Sequence, residues 1–248
     1  MGLACLSCIS MAHADVATVG WIGGNAGVSP GYTIFAPSSS TSTYLVDNFG
    51  RVIQEWPSVY APGNAAYLLD DGSLLRAGKV MGPPPHMSGG GWGGLFQIIS
   101  WEGVVTWEYE VSNNNFQQHH DVEMLPNGNV LVLLWEFKAG ADCVQAGRNP
   151  AQLSDNELWV TAIIEVEQTG LNSGNIVWEW HLWDHLAQDF DGAVDNFAVI
   201  SEHPELLDIN AMQNGNADWL HANSIDYNAE LDQIMISAHH SNEIWIID

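Results

Sequence analysis

His119-His120-Asp121-Val122-Glu123-Met124-Leu125-Pro126-Asn127-Gly128-Asn129-Val130-Leu131-Val132-Leu133 is the stretch that decides the fold. Two apolar-rich runs flank Pro126-Asn127-Gly128, residues suited to a tight turn, so the segment reads as an antiparallel hairpin with histidine at the entry of its first strand. The phrase recurs. Leu220-His221-Ala222-Asn223-Ser224-Ile225-Asp226-Tyr227 opens another strand with histidine, and Ala65–Leu69 and Ser73–Ala77 flank Asp70-Asp71-Gly72. Setting Gly72 on Gly128 puts Asn64 where His120 stands. A repeated unit brings equivalent positions to equivalent places, so polar residues at one phase of the repeat should converge on a common axis.

Working outward, short runs rich in Val, Ile, Leu, Tyr and Trp alternate with Gly, Asn and Asp turns, the pattern of antiparallel meanders. The candidate strands fall into four groups. Tyr32–Ala36, Thr43–Asp47 and Val52–Trp56 come first; Ala65–Leu69, Ser73–Ala77, Leu95–Ser100 and Val104–Tyr109 form the second. His120–Leu125, Val130–Leu134, Val160–Glu167 and Ile176–Trp180 form the third, and His221–Tyr227, Gln233–Ser237 and Glu243–Ile247 the last. The outer members echo one another in V-V-T-W-E-Y-E from Val104, I-V-W-E-W from Ile176 and, more loosely, V-I-Q-E-W from Val52. The expected fold is all-β, a β-propeller of four-stranded antiparallel blades, with a β-sandwich as the alternative. Propellers close with about four to eight blades, whereas these strands make about three and a half, so an incomplete propeller is expected.

Two excursions interrupt the pattern: Lys138 to Trp159, polar and loop-like, and Trp183 to Trp219, where short helical turns are expected. Gly82 to Gly94 reads as a loop whose glycines could bring backbone close to a ligand. Five Lys and Arg against thirty Asp and Glu give a formal charge of −25, which repels nucleic acid and anionic membrane surfaces. At 46% hydrophobic over 248 residues, the chain can bury a substantial core. Residues 1–14 are apolar and small and end in Ala12-His13-Ala14, as a secretory leader does, although no Lys or Arg precedes them. Residues 15–248 are then the propeller domain, and a periplasmic or secreted location is expected. Cleavage would remove Cys5 and Cys8, leaving Cys143 without an intrachain partner. No apolar run reaches the roughly 20 residues of a membrane-spanning helix.

The chemistry rests on histidine. His119 or His120 and His221 should face each other across the axis, and the hairpin after His221 returns His239 and His240 to the same mouth. Imidazole can act as nucleophile, general base or charged donor near neutral pH. Three histidines with Asp121 could instead ligate zinc or copper, but the spacing matches no local metal motif. Asp184 to Asp195 lacks the spacing and terminal Glu of a calcium loop. No phosphate loop, dinucleotide fingerprint or G-x-S-x-G occurs, and no cofactor is expected.

G-Y-T-I-F-A-P, T-Y-L-V-D-N-F-G, H-H-D-V-E-M-L-P-N-G-N, W-E-W-H-L-W-D-H, H-P-E-L-L-D-I-N and D-W-L-H-A-N-S-I-D-Y-N resemble the bacterial arylsulfotransferase family from Gly31 to Asp248. The resemblance implies a six-bladed propeller, export to the periplasm, and transfer of a sulfuryl group from an aryl sulfate to a phenol. The transfer would be ping-pong, through a transiently sulfated histidine and without phosphoadenosine phosphosulfate. It assigns the H-H-D histidine to His120 in preference to His119, and the H-x-N-S histidine to His221. His120, His221 and His239 are then the catalytic candidates, with substrate contacts expected from His119, Asn223 and Asn64. Where the resemblance implies an arginine eighteen positions after His221, this sequence has His239. Arginine is permanently charged whereas histidine donates charge only when protonated, so anion binding should weaken as pH rises through the histidine range. The family's nucleophilic histidine is expected beyond Asp248, and the chain as given is expected to be inactive alone. A noncatalytic binding propeller is the alternative from another class.

Overall fold

The computed structural model describes residues 23–25, 27–80, 87–153, 155–212 and 216–248. The leader motif, with Cys5 and Cys8, and residues 81–86 of the glycine-rich loop lie outside them. Four antiparallel meanders follow one another in chain order. The first is β1 (Tyr32–Phe35), β2 (Thr43–Asp47) and β3 (Val52–Trp56). The second is β4 (Pro62–Leu68), β5 (Leu74–Lys79), β6 (Gly94–Ile99) and β7 (Val105–Glu110). The third is β8 (Phe116–Met124), β9 (Val130–Ala139), β10 (Glu157–Gly170) and β11 (Ser173–His181). After the short parallel pair β12 (Leu186–Ala187) and β13 (Leu207–Asp208) comes the fourth, β14 (Ala222–Asn228), β15 (Gln233–Ala238) and β16 (Glu243–Ile247). The chain is thus all-β, with four-stranded antiparallel sheets in second and third place and three-stranded sheets at either end.

Turn chemistry repeats with the strands. Gly72 (φ +85°) and Gly128 (φ +87°) occupy the left-handed position of equivalent hairpins, and their N–H groups donate to Leu69 O and Leu125 O, both at 2.9 Å. Each sheet then packs its face on the next. Leu45 and Trp56 meet Leu74 and Ile99 between the first two sheets. Leu75, Phe96 and Trp107 meet Val122, Val130 and Val132 between the second and third. Leu131, Leu133 and Ile163 meet Ala222, Ile225 and Ile236 between the third and fourth. This explains the unbroken apolar run in β9: alternate residues serve two different cores, because the third sheet is covered on both faces.

The sheets are joined at both edges. At the outer edge Trp56 Nε1 donates to Ser100 O at 3.0 Å and Trp107 Nε1 to Ser173 O at 3.2 Å, so a tryptophan from the last strand of each of the first two sheets reaches a main-chain carbonyl of the sheet that follows. At the inner edge β8 packs between β4 and β14. Asp121, 7% exposed, links all three: its carboxylate accepts from Tyr67 Oη of β4 at 2.6 Å and from Ile225 N of β14 at 3.1 Å.

The first strands also share a defect. Gln118 pairs with Leu134 and Val122 with Val132, so four steps along β8 oppose two along β9, and two residues bulge out. Pro62 and Ala66 stand in the same relation to Gly78 and Arg76. A smaller shift lies between Ala222 and Ser224.

The excursion from Lys138 to Trp159 is shorter than the sequence suggests. Ala139 pairs with Glu157, because Phe137, Leu158 and Val160 carry the ladder onward, leaving a short helix α1 (Gly140–Gln145) and one 3-10 turn at the tip. Buried Arg148 fastens this tip to the second excursion through the carbonyls of Ile209 and Met212, and donates to Gln152 O within the tip itself. The expected helical turns of that second excursion are 3-10 turns at Leu182–His185 and Ile200–Glu202.

Candidate functional site

The bulges of β4 and β8 hold Asn64 and His120, and His221 stands just ahead of the β14 shift. His120 lies midway along its strand and not at the entry expected from the sequence, because β8 already begins at Phe116. Asn64 (φ +82°), His120 (φ +50°) and His221 (φ +50°) all adopt the left-handed backbone conformation. An L-residue there costs roughly 1–2 kcal/mol, so the surrounding structure must hold it. At His120 that hold is visible. Its N–H donates to Gly91 O at 2.7 Å, and a Cβ on Gly91, itself at φ +80°, would overlap the His120 ring. Gly90 leaves more room: a Cβ there would stand 3.5 Å from the His221 ring, an ordinary contact, so the glycine run passes over both imidazoles but crowds His120 alone.

His120 Nε2 and His221 Nε2 stand 3.0 Å apart, with ring centroids 4.8 Å apart and nearly perpendicular. The β14–β15 hairpin returns to the same place, where His239 N donates to His221 O at 3.2 Å. The His239 ring, exposed to solvent, lies 5.5 Å from that of His221, and the His240 ring 5.4 Å away. His240 turns its Nδ1 to Trp219 O. On the other side, His221 Nδ1 meets the carboxylate of Asp218, whose second oxygen accepts from Trp135 Nε1 at 3.0 Å. The Trp135 ring stacks on His119 at 4.2 Å and 7°.

Electrostatics divide these imidazoles. The hydrogen bond that His221 donates to Asp218 raises the pKa of His221 despite partial burial. Burial, and then the charge of His221, lowers His120 to about 4. Full burial pushes His119 well below the ordinary histidine value, with the charges of His120 and His221 adding to it. With His221 protonated, both its nitrogens donate, one to Asp218 and one to the lone pair of neutral His120. The pair thus offers a charged N–H donor and a neutral nucleophilic nitrogen in one place. An anion arriving at this point can take the donated hydrogen bond and free the His120 lone pair.

The structure brings His120, His221 and His239 together. His119 lies behind them, fully buried, making no hydrogen bond of full geometry and only a weak approach to the Leu134 main chain. Asn223 sits half-buried in the β14 bulge. Asn64 lines a groove between the first and second sheets with Phe35 and Lys79. Both oxygens of Asp121 are occupied by the inter-strand link, and among the described residues no group of three His, Cys, Asp or Glu forms a cation cage. Two participants escape the sequence reading, Asp218 and Trp135, while Gly91 lies in the loop whose glycines it singled out for close approach. Asp218 left a signal in D-W-L-H, three positions before His221, whereas Trp135 reads only as an apolar residue of β9.

Other cations have different partners. Arg76 and Arg148 are buried on main-chain carbonyls, Arg51 pairs with Asp47, and Lys138 pairs with Glu136 and lies over Trp183. The fifth, Lys79, lines the groove beside Asn64, so within the His120–His221 cluster positive charge comes from imidazole.

Among known proteins, the family model described as Arylsulfotransferase (ASST) matches residues 34–248. No curated protein matches the chain.

Proposed function

The chain belongs to the arylsulfotransferase family, and from that premise we propose that its histidine cluster binds the sulfuryl group of an aryl sulfate during transfer to a phenol. Transfer spreads negative charge over the sulfuryl oxygens, and preorganised donors in a water-poor site stabilise it. The observation that carries this reading is the 3.0 Å approach of His120 and His221, the pKa of one lowered by burial and that of the other raised by Asp218. In this reading His221 donates to a sulfuryl oxygen, His239 adds positive charge when protonated, and Asn223 supports the donor group. The sheets are arranged radially, as in a propeller, with β4, β8 and β14 along the axis. Transfer passes through a sulfohistidine formed on an imidazole outside this set, and the protein works in the periplasm on small phenolic substrates.

The test is incubation of the purified full-length protein, carrying the nucleophilic histidine, with nitrophenyl sulfate and a phenol acceptor. Phenol-dependent nitrophenol release that disappears in His221→Ala supports transfer; no release, with aryl sulfate still bound, supports the second reading. That reading is a noncatalytic anion-binding module, favoured by His239 standing where the family resemblance implies arginine.

A further inference from the structure

The functional reading above uses His120, His221 and His239 but leaves unexplained how His221 acquires its orientation. Its Nδ1 is held by Asp218, a residue 6% exposed and three positions earlier in the chain. Asp218 is fixed in turn: Trp135 Nε1 donates to its other oxygen at 3.0 Å, and its own N–H donates to Asn216 Oδ1 at 3.2 Å. Trp135 comes from the middle of β9, 1% exposed and stacked on His119, so the indole cannot swing away without opening the core. Gly89 closes the assembly from above, because a Cβ there would crowd Trp135 at 3.2 Å. The chain Trp135–Asp218–His221–His120 thus runs unbroken from a strand core to the exposed mouth.

We propose that Asp218, held by Trp135, is the positioning residue of the site, fixing His221 so that its Nε2–H points at the sulfuryl group. The proposal rests on the transferase reading for the identity of the anion, but not for the orientation of His221. A carboxylate on one imidazole nitrogen sets which nitrogen donates at the other and stabilises the imidazolium, and losing it leaves the ring free to flip or to deprotonate. The groups facing His221 are Asp218 from its own segment, His119 and His120 from β8, and His239 and His240 from the end of β15. Asp218 is the carboxylate in that set, so it is the counterion that favours charge on His221, and the other four are imidazoles that oppose it when protonated.

The experiment follows the His221 imidazole by NMR titration in the wild type, Asp218→Asn and Trp135→Phe, alongside the pH profile of nitrophenyl sulfate turnover by the full-length protein carrying the same substitutions. In D218N the His221 midpoint should move to lower pH, the alkaline limit of turnover should move with it, and turnover should fall roughly 100-fold. W135F keeps an aromatic ring on His119 and should move the midpoint in the same direction by less; it also carries the test if D218N does not fold. An unmoved His221 midpoint in folded variants overturns the proposal. A lowered midpoint in a protein that never transfers sulfuryl groups upholds Asp218 and rejects the transferase reading instead.

Discussion

The Tyr67 hydroxyl donates to Asp121 Oδ1 at 2.6 Å across 54 positions of sequence, from the first strand of one sheet to the first strand of the next. The same carboxylate accepts the Ile225 N–H of a third sheet, so one buried side chain registers three sheets at the edge where the histidines emerge. Tyr67→Phe should cost about 1 kcal/mol, the net worth of one hydrogen bond. Asp121→Asn should cost more, about 2–3 kcal/mol, because a new amide donor confronts an existing one inside the structure. Urea denaturation measures both, and equal stability of D121N and wild type would remove Asp121 from this role.

Acid should unfold this protein through its buried imidazoles. His120 and His119 have folded pKa values depressed below the ordinary 6.5, to about 4 for His120. The unfolded chain therefore takes up their protons first, and stability falls as pH drops below about 6.5 and on through about 4. His221 works the other way: its raised value adds stability below the ordinary histidine pKa, lost as pH rises through its folded value. His119→Phe, which keeps a ring against Trp135, should flatten the acid limb of a plot of melting temperature against pH. An acid limb as steep as that of the wild type would show that His119 titrates without hindrance.

Gly91 is the tightest backbone approach to the site. Gly91→Ala combines a strained φ of +80° with a methyl group driven into the His120 ring. The expected loss is about 1–3 kcal/mol of stability, with displacement of His120 from His221. Loss of the coupling between their NMR titrations would report that displacement, whereas intact coupling would mean that the loop yields instead of the ring.

Charge on residue 239 should govern how aryl sulfate binding responds to pH. Histidine supplies it only when protonated, while arginine supplies it throughout and adds a planar pair of donors. His239→Arg should therefore tighten binding in alkaline buffer by more than in acid, as read by calorimetry. Parallel pH dependence in the two proteins would place residue 239 outside the binding site.

Strand positions were legible because hairpin glycines and alternating side chains are local signals: Thr43–Asp47, Val52–Trp56 and Glu243–Ile247 match the sequence reading residue for residue. The equivalence of Asn64 and His120 was legible from the spacing to Gly72 and Gly128 and that of His221 from the strand phrase it opens, and the shared positive φ of all three shows the reason in the backbone. The Asp218–Trp135 support was not. It joins residues 83 positions apart, and nothing in β9 distinguishes an indole that only fills space from one whose N–H meets a carboxylate. Nor could periodicity anticipate that β9 and β10 continue their ladder into a polar stretch, since Lys138 and Glu157 pass for loop residues until paired with a neighbour.

The left-handed backbone at positions 120 and 221 sets the scaffold's own preference against its chemistry. Glycine or asparagine would sit there with less strain, and position 64 already carries asparagine. A library of this chain sorted only for thermal robustness should therefore discard imidazole from those two points early. Sorting the same library for aryl sulfate binding as well should keep histidine at both points if the proposed site holds the anion.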